Sequence, residues 1–187
     1  MFLDRDGVII AAVRDPATGR AESPYRSQDV SLLPGAADAL RELRAAGWSL
    51  VVTSNQPAAQ RGSATPEALR AVHERAVELL AAADVELDDW RYCLHDASAG
   101  CACRKPAPGL LVEAAGEHGI ELAASWMVGD SDTDVEAGQR AGCRTILIEH
   151  PGTDHRRGGH GAPTHRVVEL RYAAHRITGV SFLGRAG

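Results

Sequence analysis

Residues 126–148 read Trp-Met-Val-Gly-Asp-Ser-Asp-Thr-Asp-Val-Glu-Ala-Gly-Gln-Arg-Ala-Gly-Cys-Arg-Thr-Ile-Leu-Ile. The apolar run Trp126-Met127-Val128 reads as a buried strand that stops at Gly129-Asp130. Asp132 to Ala141 reads as a helix. Its first turn is acidic, which the helix dipole favours, and Gly142 stands just past its end as a C-cap. Arg144 to Ile148 reads as a second buried strand. Two nearly continuous apolar strands joined by a helix predict a parallel sheet covered on both faces.

The same alternation continues outward from this unit. Phe2-Leu3 leads into Asp4, Trp48 to Thr53 reads as a strand, and Arg91 to Leu94 as a weaker one. Gly35 to Ala46 predicts a helix with Leu40 and Leu43 on one face and Gly47 as its stop. Thr65-Pro66-Glu67 combines an N-cap, a first-turn Pro and an acidic first turn, and opens a helix to about Ala83. Pro108 to His118 is another helix, and Val167 to Ile177 a last strand with a short helix. Residues 11–33, with Pro16, Gly19 and Pro24, read as a long loop over the site. Residues 150–165, rich in Gly, read as a flexible solvated loop. The prediction is an α/β, Rossmann-like three-layer sandwich around a central parallel sheet. It forms a single domain over 1–187, and no insertion is long enough for a large cap.

Composition bounds the function. With 187 residues, 44% hydrophobic and 24% charged, the chain suits one globular domain. A net charge of −5 argues against a dedicated nucleic-acid binder. No window approaches the roughly 20 apolar residues needed to span a bilayer. No basic-then-apolar leader opens the sequence, so a cytoplasmic protein, neither membrane-bound nor nucleic-acid-bound, is expected, with a monomer as the default. Only three residues precede Asp4, so the first strand is expected to be very short unless the natural start lies upstream. Of the 20 basic residues 19 are Arg and one is Lys, Lys105. A composition that replaces Lys nearly everywhere makes the remaining one a poor candidate for incidental surface.

Asp4, Ser54, Cys93 and Asp130 each follow a predicted strand, and parallel α/β sheets place ligands at those carboxyl ends. Asp4 and Asp6, with Gly7 after them, can face one pocket, where carboxylates serve as magnesium ligands or as a nucleophile. Taken alone the stretch is a solvated acidic turn as readily as a site. Ser54-Asn55-Gln56 offers a hydroxyl and two amides to phosphate oxygens, or a capping turn. Asp130 and Asp134 lie four apart at a helix start, with Asp132 between. Each has a bland explanation, but the ordered set at strand ends does not. Cys93-x-His95 and Cys101-x-Cys103 form a Cys₃His set that suits tetrahedral zinc with no open position, hence a structural metal. Cys143 reads as a buried core thiol. His150, His155, His160 and His165 recur every five residues, a spacing that fits neither helix nor strand, so a solvated loop is expected there rather than a second metal site.

FLDRDGVI (2–9), VVTSNQ (51–56), CRKP (103–106) and MVGDSDTDVEAG (127–138) resemble, in order, the four motifs of the haloacid dehalogenase (HAD) phosphohydrolase superfamily. With the Cys/His cluster the chain resembles the zinc-containing subfamily that acts on heptose 1,7-bisphosphate or histidinol phosphate. The resemblance implies a magnesium-dependent phosphomonoesterase acting through an aspartyl-phosphate. Its small phosphorylated substrate is expected to be a heptose bisphosphate losing its 7-phosphate, with histidinol phosphate as the rival. A zinc-pinned binding module is the alternative of another class. The resemblance makes Asp4 the nucleophile, Asp6 the acid and base, and Ser54 and Asn55 phosphate binders. Lys105 becomes the neutralising cation. Asp4, the Asp6 carbonyl and Asp130 become the Mg²⁺ ligands, supported by Asp134. Arg61 and Arg104 are candidates for the rest of the substrate. The four zinc ligands would be Cys93, His95, Cys101 and Cys103. The family's D-G-V-I is usually followed by Asn, where this chain has Ile10.

Overall fold

The computed structural model describes residues 1–15, 19–159 and 161–179. In chain order, β1 (Phe2–Leu3) is followed by β2 (Val13–Arg14) and β3 (Ala21–Glu22), then α1 (Ala36–Ala45) and β4 (Val51–Asn55). Next come α2 (Pro66–Ala81), β5 (Asp89–Cys93), α3 (Gly109–His118) and β6 (Trp126–Gly129). The last elements are α4 (Asp132–Ala141), β7 (Arg144–Ile148), β8 (His165–Val167) and α5 (Leu170–Thr178).

The main sheet has six strands in the order β5-β4-β1-β6-β7-β8, and every pairing in it is parallel. β1 is two residues long yet central. Phe2 pairs with Val51 on one side and Met127 on the other. Alternation along the strands splits the core. Leu3, Val52, Val128 and Ile146 pack with α1, α2 and α5, whereas Phe2, Val51 and Met127 pack with α3 and α4. Side chains of successive strand residues point to opposite faces, so a strand buried on both reads as a continuous apolar run. Among the described residues, the predicted three-layer sandwich with a central parallel sheet and no large cap is the observed architecture. Among the described residues no helix is long and apolar enough to cross a membrane.

Several boundaries differ from expectation. The strand expected at Trp48 to Thr53 runs from Val51 to Asn55. Its start is set by the short β1, and its end by pairing to β5 as far as Asn55 and Cys93. Before it, the Leu50 N–H turns to the Asp88 carboxylate at 2.6 Å. β5 begins two residues earlier than read, at Asp89. Ser54 and Cys93 consequently sit within the last two residues of their strands rather than after them. α4 and β7 have the expected bounds. α2 starts as read, with Thr65 Oγ1 accepting from the Ala68 N–H at 3.2 Å, and stops at Ala81.

Residues 11–33 are more organised than a long loop. β2 and β3 pair antiparallel, and a 3₁₀ turn covers Ser27–Asp29. Two-residue strands held by backbone bonds leave no side-chain periodicity to read. Residues 16–18, including Pro16, lie outside the described residues. Within 150–165 a 3₁₀ segment spans Pro151–Arg156, and Thr153 is buried with 1% of its surface exposed. The segment is anchored at particular residues: Thr153, Arg156 and Arg157 turn inward, while Gly152, Asp154, His155 and Gly158 stay exposed as a solvated loop would have them. His150 Nδ1 accepts from the Gly152 N–H, His165 stacks on Trp126, and His160 lies outside the described residues.

Candidate active site

The carboxyl ends of β1, β4 and β6 converge on a cavity of about 340 Å³. Asp4 leaves β1 and Asp130 leaves β6, adjacent strands whose pairing sets the two carboxylates side by side. The Asp4 N–H donates to the Val128 carbonyl at 2.9 Å and continues that pairing. Gly7 permits the approach. Its φ is +89°, and a Cβ there would fall 2.1 Å from Asp130 Oδ2. Carboxylate oxygens of Asp4, Asp130 and Asp134 all lie within 4.8 Å of one another.

Lys105 reaches this cluster from the loop before α3. Its Nζ donates to Asp4 Oδ1 at 2.8 Å and to the Thr53 carbonyl at 2.7 Å, and lies 2.5 Å from Asp134 Oδ1. The ammonium is buried, 3% exposed. Burial works to lower its pKa, but the Asp134 and Asp4 carboxylates outweigh it and push the pKa up, so the charge is retained. Burial pushes the Asp4 carboxyl up, against the pull of Lys105. Burial also raises Asp130, to about 7, with Arg156 opposing and Asp4 and Asp134 adding to it.

Asp6 differs from its neighbours. Arg5 clasps it with two hydrogen bonds, Nε to Oδ1 at 3.0 Å and Nη2 to Oδ2 at 2.9 Å. Ser23 Oγ and Gln56 Nε2 add donors to Oδ2 at 2.8 and 2.7 Å. Burial alone would raise its pKa, but Arg5, Ser23 and Gln56 overcome it and hold the carboxyl below its ordinary value. The free protein therefore carries Asp6 ionised.

The cavity also brings together Ser54, Asn55, Arg61, Arg104 and Lys105, with Glu22, Ser23 and Tyr25 from the covering segment. Their contacts refine their parts. Asn55 clasps the Lys105 backbone, donating from Nδ2 to its carbonyl at 3.0 Å and accepting its N–H at 3.1 Å. Gln56 turns towards Asp6 and Ser54 Oγ. Arg61 pairs with Asp96 at 2.5 Å, and Arg104 donates to the His95 carbonyl at 2.9 Å. Asp134 accepts from Ser131 Oγ at 2.6 Å and from the Ser131 N–H at 3.1 Å, completing the N-cap of α4. Ile10, where the family usually has Asn, is wholly buried in the core.

Two buried or half-buried arginines at the candidate site escaped the sequence. Arg5 is 1% exposed. A cation between two aspartates was the available signal. Arg156, one of many arginines in a Gly-rich segment, carried none. Its Nη1 donates to the Asp6 carbonyl at 3.1 Å and to Asp130 Oδ2 at 3.1 Å.

Beside the cavity, one ligand atom from each of Cys93, His95, Cys101 and Cys103 lies within 4.8 Å of the others. The sulfurs are 3.3, 3.4 and 3.7 Å apart, and His95 Nδ1 is 3.3 Å from Cys103 Sγ. A tetrahedral zinc with bonds of about 2.3 Å spaces its sulfurs by about 3.8 Å, so the donor set fits that ion with little adjustment. The Asp6 carbonyl and the Asp130 carboxylate, already gathered round the Arg156 guanidinium, and the neighbouring Asp4 carboxylate are oxygen-only donors that fit a hard divalent cation. Cys143 stands apart and buried, its thiol pushed up to about 11 by burial.

A family model described as HAD-hydrolase-like matches residues 102–172. The D-glycero-beta-D-manno-heptose-1,7-bisphosphate 7-phosphatase of Pseudomonas aeruginosa is 34% identical over 150 residues, 80% of either chain. The D-glycero-D-manno-heptose-1,7-bisphosphate 7-phosphatase of Thermosynechococcus vestitus is 37% identical over 160 residues, 80% of this chain and 78% of its own. Among solved structures, the D,D-heptose 1,7-bisphosphate phosphatase of B. bronchiseptica, complexed with magnesium and phosphate, superposes with a TM-score of 0.82 at 30% identity. That match covers 96% of this chain and 97% of the other.

Proposed function

The chain belongs to the HAD-like hydrolases, among their phosphomonoesterases, and we propose that it removes the 7-phosphate of a D-glycero-D-manno-heptose 1,7-bisphosphate through an aspartyl-phosphate on Asp4. The observation that carries the chemistry is a buried ammonium, Lys105, held between Asp4 and Asp134 in a cavity that also holds Asp6. The substrate rests on the activity for which relatives at 34–37% identity are named.

Asp4 Oδ attacks phosphorus as the bond to the sugar oxygen breaks. Lys105 offsets charge at the nucleophile before and during this step, at a site organised in advance. Ser54 and the loop after β4 receive phosphate oxygens. Asp6 is ionised in the free protein, which suits its second task, taking a proton from the hydrolytic water. Its first task, protonating the leaving oxygen, needs a proton that Arg5, Ser23 and Gln56 oppose. A phosphate dianion entering beside it raises its proton affinity. The water then cleaves the acyl-phosphate, inorganic phosphate leaves and the Asp4 carboxylate is restored.

Asp4, the Asp6 carbonyl and Asp130 would hold Mg²⁺, with Asp134 in support, and the ion would supply charge neutralisation at the transferring group. Cys93, His95, Cys101 and Cys103 would hold a structural zinc that fixes the strand-to-loop segment leading into Arg104 and Lys105. The testing experiment measures phosphate release from heptose 1,7-bisphosphate and from histidinol phosphate, with and without Mg²⁺. Magnesium-dependent release from the heptose, abolished by Asp4→Asn, is expected. Release only from histidinol phosphate moves the substrate, and release that survives Asp4→Asn overturns the mechanism.

A further inference from the structure

The 3₁₀ segment at Pro151–Arg156 is built onto the active-site loop. Arg157 donates to the Asp130 carbonyl at 3.4 Å, to the His150 carbonyl at 3.1 Å and to Thr153 Oγ1 at 3.0 Å. The Gly158 N–H donates to Asp132 Oδ2 at 2.6 Å. These bonds deliver the neighbouring Arg156 inward, leaving its side chain 18% exposed. Its Nη1 lies 3.1 Å from the Asp6 carbonyl oxygen, with Asp130 Oδ2 at 3.1 Å and Oδ1 at 3.4 Å, and its Nη2 donates to the Ala21 carbonyl at 3.2 Å.

We propose that Arg156 is the resident counter-cation of the metal position and competes with the divalent ion for the Asp6 carbonyl and the Asp130 carboxylate. The inference rests on the reading above that these oxygens bind Mg²⁺. Three buried carboxylates, Asp4, Asp130 and Asp134, face one ammonium, and Lys105 is committed to Asp4 and Asp134. Asp130 is wholly buried. A buried carboxylate without a partner is costly, and Arg156 is the cation that meets it. A divalent ion and the guanidinium draw on the same oxygen lone pairs, and two cations so close in a buried site repel strongly. Metal binding therefore requires Arg156 to withdraw, which also releases its bond to Ala21 in the covering hairpin. Arg156 lowers metal affinity and stabilises the metal-free protein.

The test uses Mn²⁺ as an EPR-visible probe, without substrate, on the wild type, Arg156→Gln and Asp130→Asn. Arg156→Gln is expected to bind Mn²⁺ at least tenfold more tightly. Its metal-free melting temperature should fall below that of the wild type, and the gap should close on saturation. Equal or weaker binding by Arg156→Gln, with Asp130→Asn defective, overturns this inference alone. Wild-type binding undiminished in Asp130→Asn places the metal elsewhere and overturns the functional reading with it. A measurement on the wild type needs no variant to fold. Mn²⁺ should raise phenylglyoxal labelling of Arg156, read by tandem mass spectrometry, and unchanged labelling overturns the inference.

Discussion

Three oxygens surround Lys105 Nζ, from Asp4, Asp134 and Thr53, and Asn55 locks the backbone that carries it. One small ammonium fits where three acceptors meet, whereas a forked, planar guanidinium does not. Lys105→Arg should lower kcat by about 10²-fold or more, the scale of losing one preorganised charge contact, with the circular dichroism spectrum unchanged. Near-normal turnover would make the lone lysine incidental. Gly7 answers to a different constraint. Gly7→Ala forces a side chain into a left-handed backbone and against Asp130, so it should destabilise the protein by about 1–3 kcal/mol and weaken Mn²⁺ binding, as denaturant titration and EPR would show. An unchanged unfolding midpoint would refute it. At this scale the sequence exposed Lys105 through its rarity and the aspartates through their strand-end positions. It hid Arg156, because one arginine among 19 in an aperiodic segment carries no signal, and its partners Asp6 and Asp130 are 150 and 26 residues away.

Helix α2 and strand β5 meet through side chains that no periodicity predicts. His73 Nδ1 and the Tyr92 hydroxyl are 2.8 Å apart, and the His73 ring packs edge-on against Trp90 and Tyr92. Burial, then the nearby Arg5 guanidinium, lowers the His73 pKa from its ordinary 6.5. A depressed histidine binds fewer protons folded than unfolded, so its contribution is present above pH 6.5 and is lost as pH falls through the folded value. The urea midpoint of the wild type should therefore fall relative to that of His73→Leu as pH drops from about 7.5 to about 5. A constant gap would exclude His73 as the source. The helices themselves were legible, because caps such as Thr65 and stops such as Gly47 and Gly142 act within a few residues. The β2–β3 hairpin was not, since two-residue strands have no alternation to display.

Across the whole molecule, the cluster of Cys93, His95, Cys101 and Cys103, proposed above to hold zinc, bridges the end of β5 and the loop that delivers Lys105. Removing zinc should loosen that loop from the sheet, and the effect should reach catalysis without touching the reacting groups. One zinc per chain is expected by elemental analysis of protein purified without chelators. Its extraction should lower both the melting temperature and kcat, and zinc restored to the chelated protein should recover both. A metal-free isolate with full activity would refute the cluster's role. Core burial is shared between two faces of one sheet, so Asp4 and Asp130 inherit the rigidity of six paired strands, whereas Lys105 depends on how its loop is held.

The sequence by itself determined the parallel α/β class, the helix boundaries set by caps, and the residue types of the site, because these depend on short-range pattern and on chemistry that few side chains can supply. Tertiary structure alone decided the partners. Gln56 closes on Asp6, Asn55 on the Lys105 backbone, and Arg156 on oxygens from two different strand ends. Those contacts join segments far apart in the chain, and which polar groups meet follows from how the sheet stacks its strands and where buried charge must be balanced. No local pattern encodes that.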